Sequence, residues 1–327
     1  YDLSNPDVQC FALNNFWRTL SNLTINVRPV PGAADPADWY ACQAGLPFNT
    51  WAVSQAVSMR RVDINDFGGE PELFLFDVCL QRPGFASGGF IADSNPGGVI
   101  NGPQQQWITR NSELEFWSNA VWNQVFTGVV GAPDDSGYAG CAPPAPVQPS
   151  DGGVCVPYTT LDTTPISREK PYLFVDEEGG YNVRVPAAQR ETRGVTWADG
   201  ETPGRTIPIS DFFVADPSDS VQVINNQLAR GKHLILTPGT YNVAKSISVK
   251  RPDTVVLGMG HATLRAVGGA IPLTTADKAG IIVAGVTIDG GETESPVLLQ
   301  VGKKNGNNGV PNTDPDNPVT LLSLIHI

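Results

Sequence analysis

Four carboxylates beside apolar runs are the residues of this chain best placed for acid–base chemistry. Paired carboxyl groups can hydrolyse a glycosidic bond when one is protonated and the other acts as base or nucleophile. Partial burial raises the pKa of a carboxyl group, which favours acidic residues next to apolar strands. The candidates are Asp93 after GGFIA, Glu113 and Glu115 after residues 107–110, and Asp289 in GVTIDGG. Strand alternation places Glu113 and Glu115 on one face, but each candidate is more simply explained as a turn or corner residue.

Aromatic and amide side chains concentrate between residues 101 and 123. Flat aromatic faces edged by amide groups suit sugar rings, which present apolar faces bordered by hydroxyls. The candidate substrate-binding residues are Trp107, Trp117, Trp122, Gln105 and Asn123. The alternative is that the same residues form aromatic packing and amide ladders within the fold.

Histidines and glycines give no sign of a metal or nucleotide site. His233 and His261 lack a third ligand nearby and are interpreted as surface or corner residues. Gly258 and Gly260 follow a strand but precede another strand, so a helix N-terminus that could hold a phosphate is missing. The sequence therefore predicts neither a metal ion nor a cofactor.

The five cysteines bear on the compartment of the protein. Cys141 and Cys155 bracket a loop rich in Pro and Gly and are predicted to form a disulfide, worth about 3 kcal/mol by loop closure. A disulfide would mean export, and the sequon Asn22-Leu23-Thr24 is compatible with it. The alternative is five free, buried thiols. We expect a secreted protein.

Composition excludes several classes of protein. The 327 residues carry a formal net charge of −12, with 17% charged and 41% hydrophobic residues, 34 Gly and 28 Pro. Such a chain is too apolar to be disordered and too rich in Gly and Pro for long helices. The acidic balance argues against nucleic-acid binding, and no apolar run is long enough for a membrane helix.

Short β-rich runs separated by Gly, Asn, Asp or Pro dominate the chain and indicate an all-β protein. Their loose recurrence near twenty residues favours a parallel β-helix, in which stacked rungs build one core; a β-sandwich is the alternative. The one clear helix is predicted at residues 221–230, capped by Ser218 or Asp219 and ended by Gly231. It would cover the open end of a β-helix near residue 205.

The segment PSDSVQVINNQLARGKHLILTPGTYNV resembles the capping helix and opening rung of pectate-lyase-like right-handed β-helices. The runs FWRTLSNLTINV, SGGFIADS, NGPQQQWITRNSELEFW and VWNQVFTGVVGAP are similar to tandem β-helix proteins of glycoside hydrolase family 55. The resemblance implies two incomplete β-helices. Residues 1–131 would end the first, residues 132–204 would form a structured connector, and residues 205–327 would begin the second.

The resemblance also implies a function. We expect a monomeric, secreted carbohydrate-active protein that binds a polysaccharide or oligosaccharide, with glycoside hydrolysis of a β-glucan-like substrate as the leading activity. The alternatives are a non-catalytic binding or adhesion module and a polysaccharide lyase. In family 55 the acid comes from the second helix. The final LLSLIHI resembles a translated adapter tail, and a native apolar strand is the alternative. We therefore expect this chain to be a fragment without hydrolytic activity.

Overall fold

The computed structural model describes residues 16–27, 48–51, 57–66, 72–76, 86–101, 105–118, 123–136, 158–302 and 312–326. The protein is mostly β. The chain divides into two compact units: the first is Tyr1–Ser167 with Arg190–Thr202, and the second is Arg168–Gln189 with Pro203–Ile327. The predicted bounds at 131 and 204 remain predictions.

The first unit is built from two parallel sheets that the chain visits in turn. The strands are β1 (Thr19–Val27), β2 (Phe48–Thr50), β3 (Ser58–Asp66), β4 (Glu72–Phe74), β5 (Gly88–Ala92), β6 (Gly97–Ile100), β7 (Gln106–Arg110), β8 (Leu114–Ser118), β9 (Gln124–Thr127), β10 (Tyr158–Leu161) and β11 (Thr164–Ser167). One sheet has the order β1-β3-β5-β7-β9-β10 and the other β2-β4-β6-β8. This alternation with parallel pairing is the arrangement of a β-helix.

The core of the first unit lies between these two sheets. Its apolar side chains alternate with outward-facing ones, as the period of two along a strand requires. Trp107, Phe126, Met59, Ile91 and Leu73 are all less than 2% exposed. Each strand is too short to bury a face alone, so the stacking of successive turns supplies the core.

The second unit repeats the design with a helix at its start. Its elements are β12 (Tyr172–Val175), β13 (Tyr181–Pro186), β15 (Gly204–Pro208), a 3-10 turn (Ile209–Asp211), β16 (Phe212–Ala215), α1 (Val221–Ala229), β17 (His233–Leu236), β18 (Gly239–Val243), β19 (Ile247–Val249), β20 (Val255–Ala266), β21 (Leu273–Thr275), β22 (Ile282–Asp289), β23 (Leu299–Val301), β24 (Thr320–Leu322) and β25 (Ile325–His326). The intervening strand β14 (Gln189–Thr192) pairs with β11, and its residues from Arg190 onward belong to the first unit. The main sheet has the order β16-β17-β20-β22-β24, and β19-β21-β23 form the facing sheet.

The predicted helix is present, with a different N-cap. Ser220, not Ser218 or Asp219, is the N-cap, and its hydroxyl accepts a hydrogen bond from the Val223 amide at 3.3 Å. Asp219 is occupied in the preceding turn, where its carboxylate accepts from the Asp216 amide at 2.8 Å. Ile224 and Leu228 bury against the core of this unit. In the part of the chain that the structure describes, α1 is the only α-helix.

An antiparallel sheet of β12, β13 and β15 packs on the main sheet of the second unit. Val183, Val185 and Ile207 contribute the covering side chains. They meet a second set from the main sheet: Ile235, Val255, Leu257, Ile282 and Ala284. The main sheet is therefore buried on both faces, which explains why its strands read as continuous apolar runs rather than alternating ones.

Candidate functional site

One corner of the first unit carries a left-handed residue in five successive turns. The φ angles are 56° at Asn22, 54° at Arg61, 50° at Asp93, 45° at Asn111 and 60° at Gly128. The five positions are aligned because each follows strand residues that pair in register. Asn, Asp and Gly adopt this conformation at the lowest steric cost. Asp93 thus occupies a corner position, which is the simpler of the two interpretations of the sequence.

The carboxylate of Asp93 is only 2% exposed and is held by a second segment of the same unit. It accepts hydrogen bonds from the Thr196 amide at 2.6 Å and the Thr196 hydroxyl at 3.0 Å. The Trp197 indole donates to the Asp93 carbonyl at 2.9 Å. Arg61 lies 3.8 Å from the carboxylate and donates to the Thr202 hydroxyl at 2.6 Å. This network fastens residues 196–202 to the corner column and leaves Asp93 no open face toward a substrate.

Glu113 and Glu115 do not share a strand face. The pairing of β6 with β8 shifts register, so that Gly97 pairs with Leu114 and Gly98 with Phe116, and Glu115 lies in the resulting bulge. Such a bulge breaks the alternation on which the prediction rested. Glu115 is exposed, whereas Glu113 precedes β8 and is half-buried beside Gly194.

Asp289 ends β22 and is already paired. Its carboxylate accepts from Arg265 Nε at 2.7 Å and from the Gly291 amide at 2.9 Å. The hydrogen bond from Arg265 is the main reason why the pKa of Asp289 lies below its ordinary value. A carboxyl group held in its ionised form is a poor proton donor, so Asp289 does not suit the role of catalytic acid.

The aromatic candidates that the structure describes lie in the core. Trp107 is 1% exposed, and its indole donates to the Gln105 side chain at 3.1 Å. Gln105 is itself buried and donates to the Leu75 carbonyl, while Gln124 donates to the Gln105 carbonyl at 2.8 Å. Trp117 is 8% exposed and meets a neighbouring phenyl ring edge-on at 5.2 Å. A sugar cannot stack on a ring face that is already covered, so the burial favours the packing interpretation for Trp107, Trp117 and Gln105.

The remaining candidates divide between exposed and undescribed positions. Asn123 is exposed at the start of β9. Trp122 and all five cysteines, including Cys141 and Cys155, lie outside the described residues. His261 is exposed, whereas His233 is half-buried and its Nδ1 accepts from the Val255 amide at 3.1 Å. Within the described ranges, no group of three or more His, Cys, Asp or Glu side chains is arranged to hold a metal ion.

No helix among the described residues is long and apolar enough to cross a membrane.

The residues that fasten Asp93, chiefly Thr196 and Trp197, were not singled out by the sequence. They stand 103 and 104 positions away in the chain, and no motif links the two segments.

Comparisons with known proteins show what the chain is similar to. The LAM55 pectate lyase-like domain matches residues 212–326. An exo-β-1,3-glucanase of Streptomyces sp. (strain SirexAA-E / ActE) is 38% identical over 315 residues, which are 96% of this chain and 44% of the relative. The chain is similar to the family 55 β-helix proteins. The sequence resemblance is thereby confirmed.

Solved structures extend the family 55 likeness to the fold. The structure of sacteLam55A from Streptomyces sp. SirexAA-E superposes with a TM-score of 0.77 at 36% identity, over 97% of this chain and 49% of that protein. A variant of the same protein in complex with glucose gives a TM-score of 0.73 at 34% identity, over 96% and 53% of the two chains. This chain thus spans about half the length of its family 55 relatives.

Proposed function

We propose that the protein is a glycoside hydrolase of the family 55 type that acts on a β-1,3-glucan. The observation that carries the proposal is the 38% identity to an exo-β-1,3-glucanase across 96% of this chain. The parallel stacking of β1 to β10 and of β16 to β25 supports the finer proposal of two tandem right-handed β-helices. A polysaccharide is the proposed partner of the whole protein.

We place the catalytic acid outside the four sequence candidates. Asp93 is saturated by Thr196, and Asp289 is held ionised by Arg265. Glu115 is exposed in a bulge and Glu113 lies apart from it, so the two do not form the opposed pair that hydrolysis requires. The acid is proposed to belong to a part of the family 55 enzyme that this chain does not span, and residues 1–327 alone are expected to be inactive.

A binding or adhesion module is the second candidate function. It is favoured by the surroundings of Asp93 and Asp289, because the hydrogen bonds that each carboxylate accepts leave neither placed to donate a proton. In either case we propose secretion, a monomeric state and a Cys141–Cys155 disulfide. Thiol counting on unfolded, unreduced protein checks the disulfide, and labelling of both Cys141 and Cys155 would contradict it.

The test compares hydrolysis with binding. Residues 1–327 are incubated with laminarin, and with pectin and alginate as controls, while released reducing sugar is measured. Retardation of the chain in a native gel containing each polysaccharide is measured in parallel. We expect retardation by laminarin alone and no hydrolysis. Equal retardation by all three, or none, would contradict the β-glucan proposal. Hydrolysis abolished by Glu113→Gln would show that the catalytic centre lies in this chain.

A further inference from the structure

The second unit contains an open cavity of about 340 Å³. One wall is formed by Arg168 and by the end of the antiparallel sheet where β13 finishes and β15 begins, at residues 185–187 and 204–205. The other wall is formed by the turns that precede β20, β22 and β24, where Asp253, Gly280 and Asn317 lie. Its volume is at the lower end of the roughly 300–1,000 Å³ range of ligand sites.

Arg168 lines this cavity, and its guanidinium group forms no ion pair with any described residue. Its Nη1 donates to the Thr320 hydroxyl at 2.9 Å and to the Pro318 carbonyl at 3.3 Å, and its Nη2 donates to Asn317 Oδ1 at 3.3 Å. All three acceptors are neutral. The Arg168 Nε is buried and has no hydrogen-bond acceptor in the described part of the chain. Burial, and secondarily the charge of Arg205, lower the pKa of Arg168.

The opposite side of the cavity presents acceptors. Arg205 donates to the Asp253 carbonyl at 2.7 Å, which leaves the Asp253 carboxylate free of that guanidinium. Asp253 Oδ1 accepts from Asn317 Nδ2 at 3.0 Å. Asp316 also lines the cavity, so the lining holds two arginines and two aspartates and carries no net charge.

This lining matches a neutral, polyhydroxylated ligand better than an ion. An anion would be attracted by Arg168 and Arg205 but repelled by Asp253 and Asp316. A cation would be attracted by the two aspartates and repelled by the two arginines. A hydroxyl group both donates and accepts, so vicinal hydroxyls can satisfy guanidinium donors and carboxylate acceptors together. The aliphatic surface of Pro186 and Ala187 supplies the apolar contact that the carbon face of a sugar ring needs.

We propose that this cavity binds a neutral mono- or disaccharide unit. The inference rests on the proposed function only for the choice of sugar, since the lining itself specifies a neutral polyol.

The test uses residues 1–327 and titration calorimetry with laminaribiose, cellobiose, maltose and sodium glucuronate. Arg205→Gln removes a lining charge and Ala187→Leu fills the cavity. Arg184→Gln is the matched control, because Arg184 lies on the adjoining strand, donates to Thr206 at 3.0 Å and does not line the cavity. Arg168 is left intact because it ties the turn before β24 to this unit.

We expect at least one neutral disaccharide to bind wild type and Arg184→Gln equally, and Arg205→Gln and Ala187→Leu at least tenfold more weakly. Binding of cellobiose or maltose but not laminaribiose, with the same dependence on Ala187, would support the cavity and contradict the β-glucan proposal. Absence of binding by every neutral sugar, tighter binding of glucuronate, or full binding by Ala187→Leu would overturn the inference.

Discussion

Replacement of Asp93 by Asn separates a structural role from a catalytic one. The substitution keeps the shape and tolerates the φ of 50°, because Asn adopts the left-handed region readily. It removes the charge that strengthens the two bonds from Thr196 and the attraction to Arg61 at 3.8 Å. Hydrogen bonds to charged groups contribute about 1.5–3 kcal/mol each and neutral ones about half of that. We therefore expect Asp93→Asn to lower the free energy of unfolding by about 2 kcal/mol.

Asp93→Ala should cost more, about 4 kcal/mol, since both bonds are lost and Ala in the left-handed region costs about 1 kcal/mol. Urea unfolding measures the global effect. Tryptic cleavage after exposed Arg193 measures the release of the fastened segment and should accelerate in the order wild type, Asn, Ala. Asp199→Asn is the matched control, because Asp199 is an exposed aspartate of the same segment. If Asp93→Asn unfolds and is cleaved like wild type, the carboxylate does not hold this segment and the structural assignment is refuted.

Three further predictions concern a cap, a glycine and a histidine. Ser220→Ala should destabilise the second unit by about 1 kcal/mol in urea unfolding, since the Val223 amide loses its acceptor, whereas Ser220→Asn should be nearly neutral. Gly128→Ala should lower the free energy of unfolding by more than about 2 kcal/mol or prevent folding, because its new Cβ would lie 2.4 Å from a backbone oxygen. Gly179→Ala is the control, because its Cβ would meet nothing within 4 Å, and it should cost only about 1 kcal/mol. Equal costs for the two variants would contradict the assignment of a steric clash to Gly128. Burial lowers the pKa of His233 below 6.5, so the unfolded state binds the proton first and stability should fall as pH drops below 6.5. His233→Gln should flatten that dependence, and an unchanged pH profile would rule out His233 as its source.

The sequence predicted the strands of the main sheet and the helix because both depend on local pattern. Runs such as residues 234–236 and 255–257 are apolar on consecutive positions, which indicates burial on both faces. The helix had a hydrophobic spacing, a capping residue and Gly231, whose φ of 98° suits the position after a helix. The N-cap itself was missed because Ser218, Asp219 and Ser220 are all capable of capping, and only the turn preceding α1 decides among them.

The candidate site was harder to predict because burial depends on contacts between distant segments. Trp107 and Trp117 are residues of the type on which sugar rings stack. Nothing in their spacing reveals that Gln105 and Phe126 cover them. The bulge at Glu115 is equally invisible, since one extra residue in a strand leaves no periodic signature. A turn or corner position for Asp93 could be inferred from the sequence, but its partner Thr196 is 103 residues away and could not.

The closure of the second unit across the chain has a consequence for synthesis. Arg168 binds Thr320, which lies 152 residues later, and the hairpin of β12 and β13 covers a sheet whose strand β24 is synthesised much later. At about 5–20 residues per second, a ribosome needs roughly 7–27 s to advance from the end of this hairpin to residue 320. During that interval Leu173, Val183 and Val185 lack part of the surface that later buries them. The hairpin is therefore a segment to which nascent-chain chaperones have time to bind.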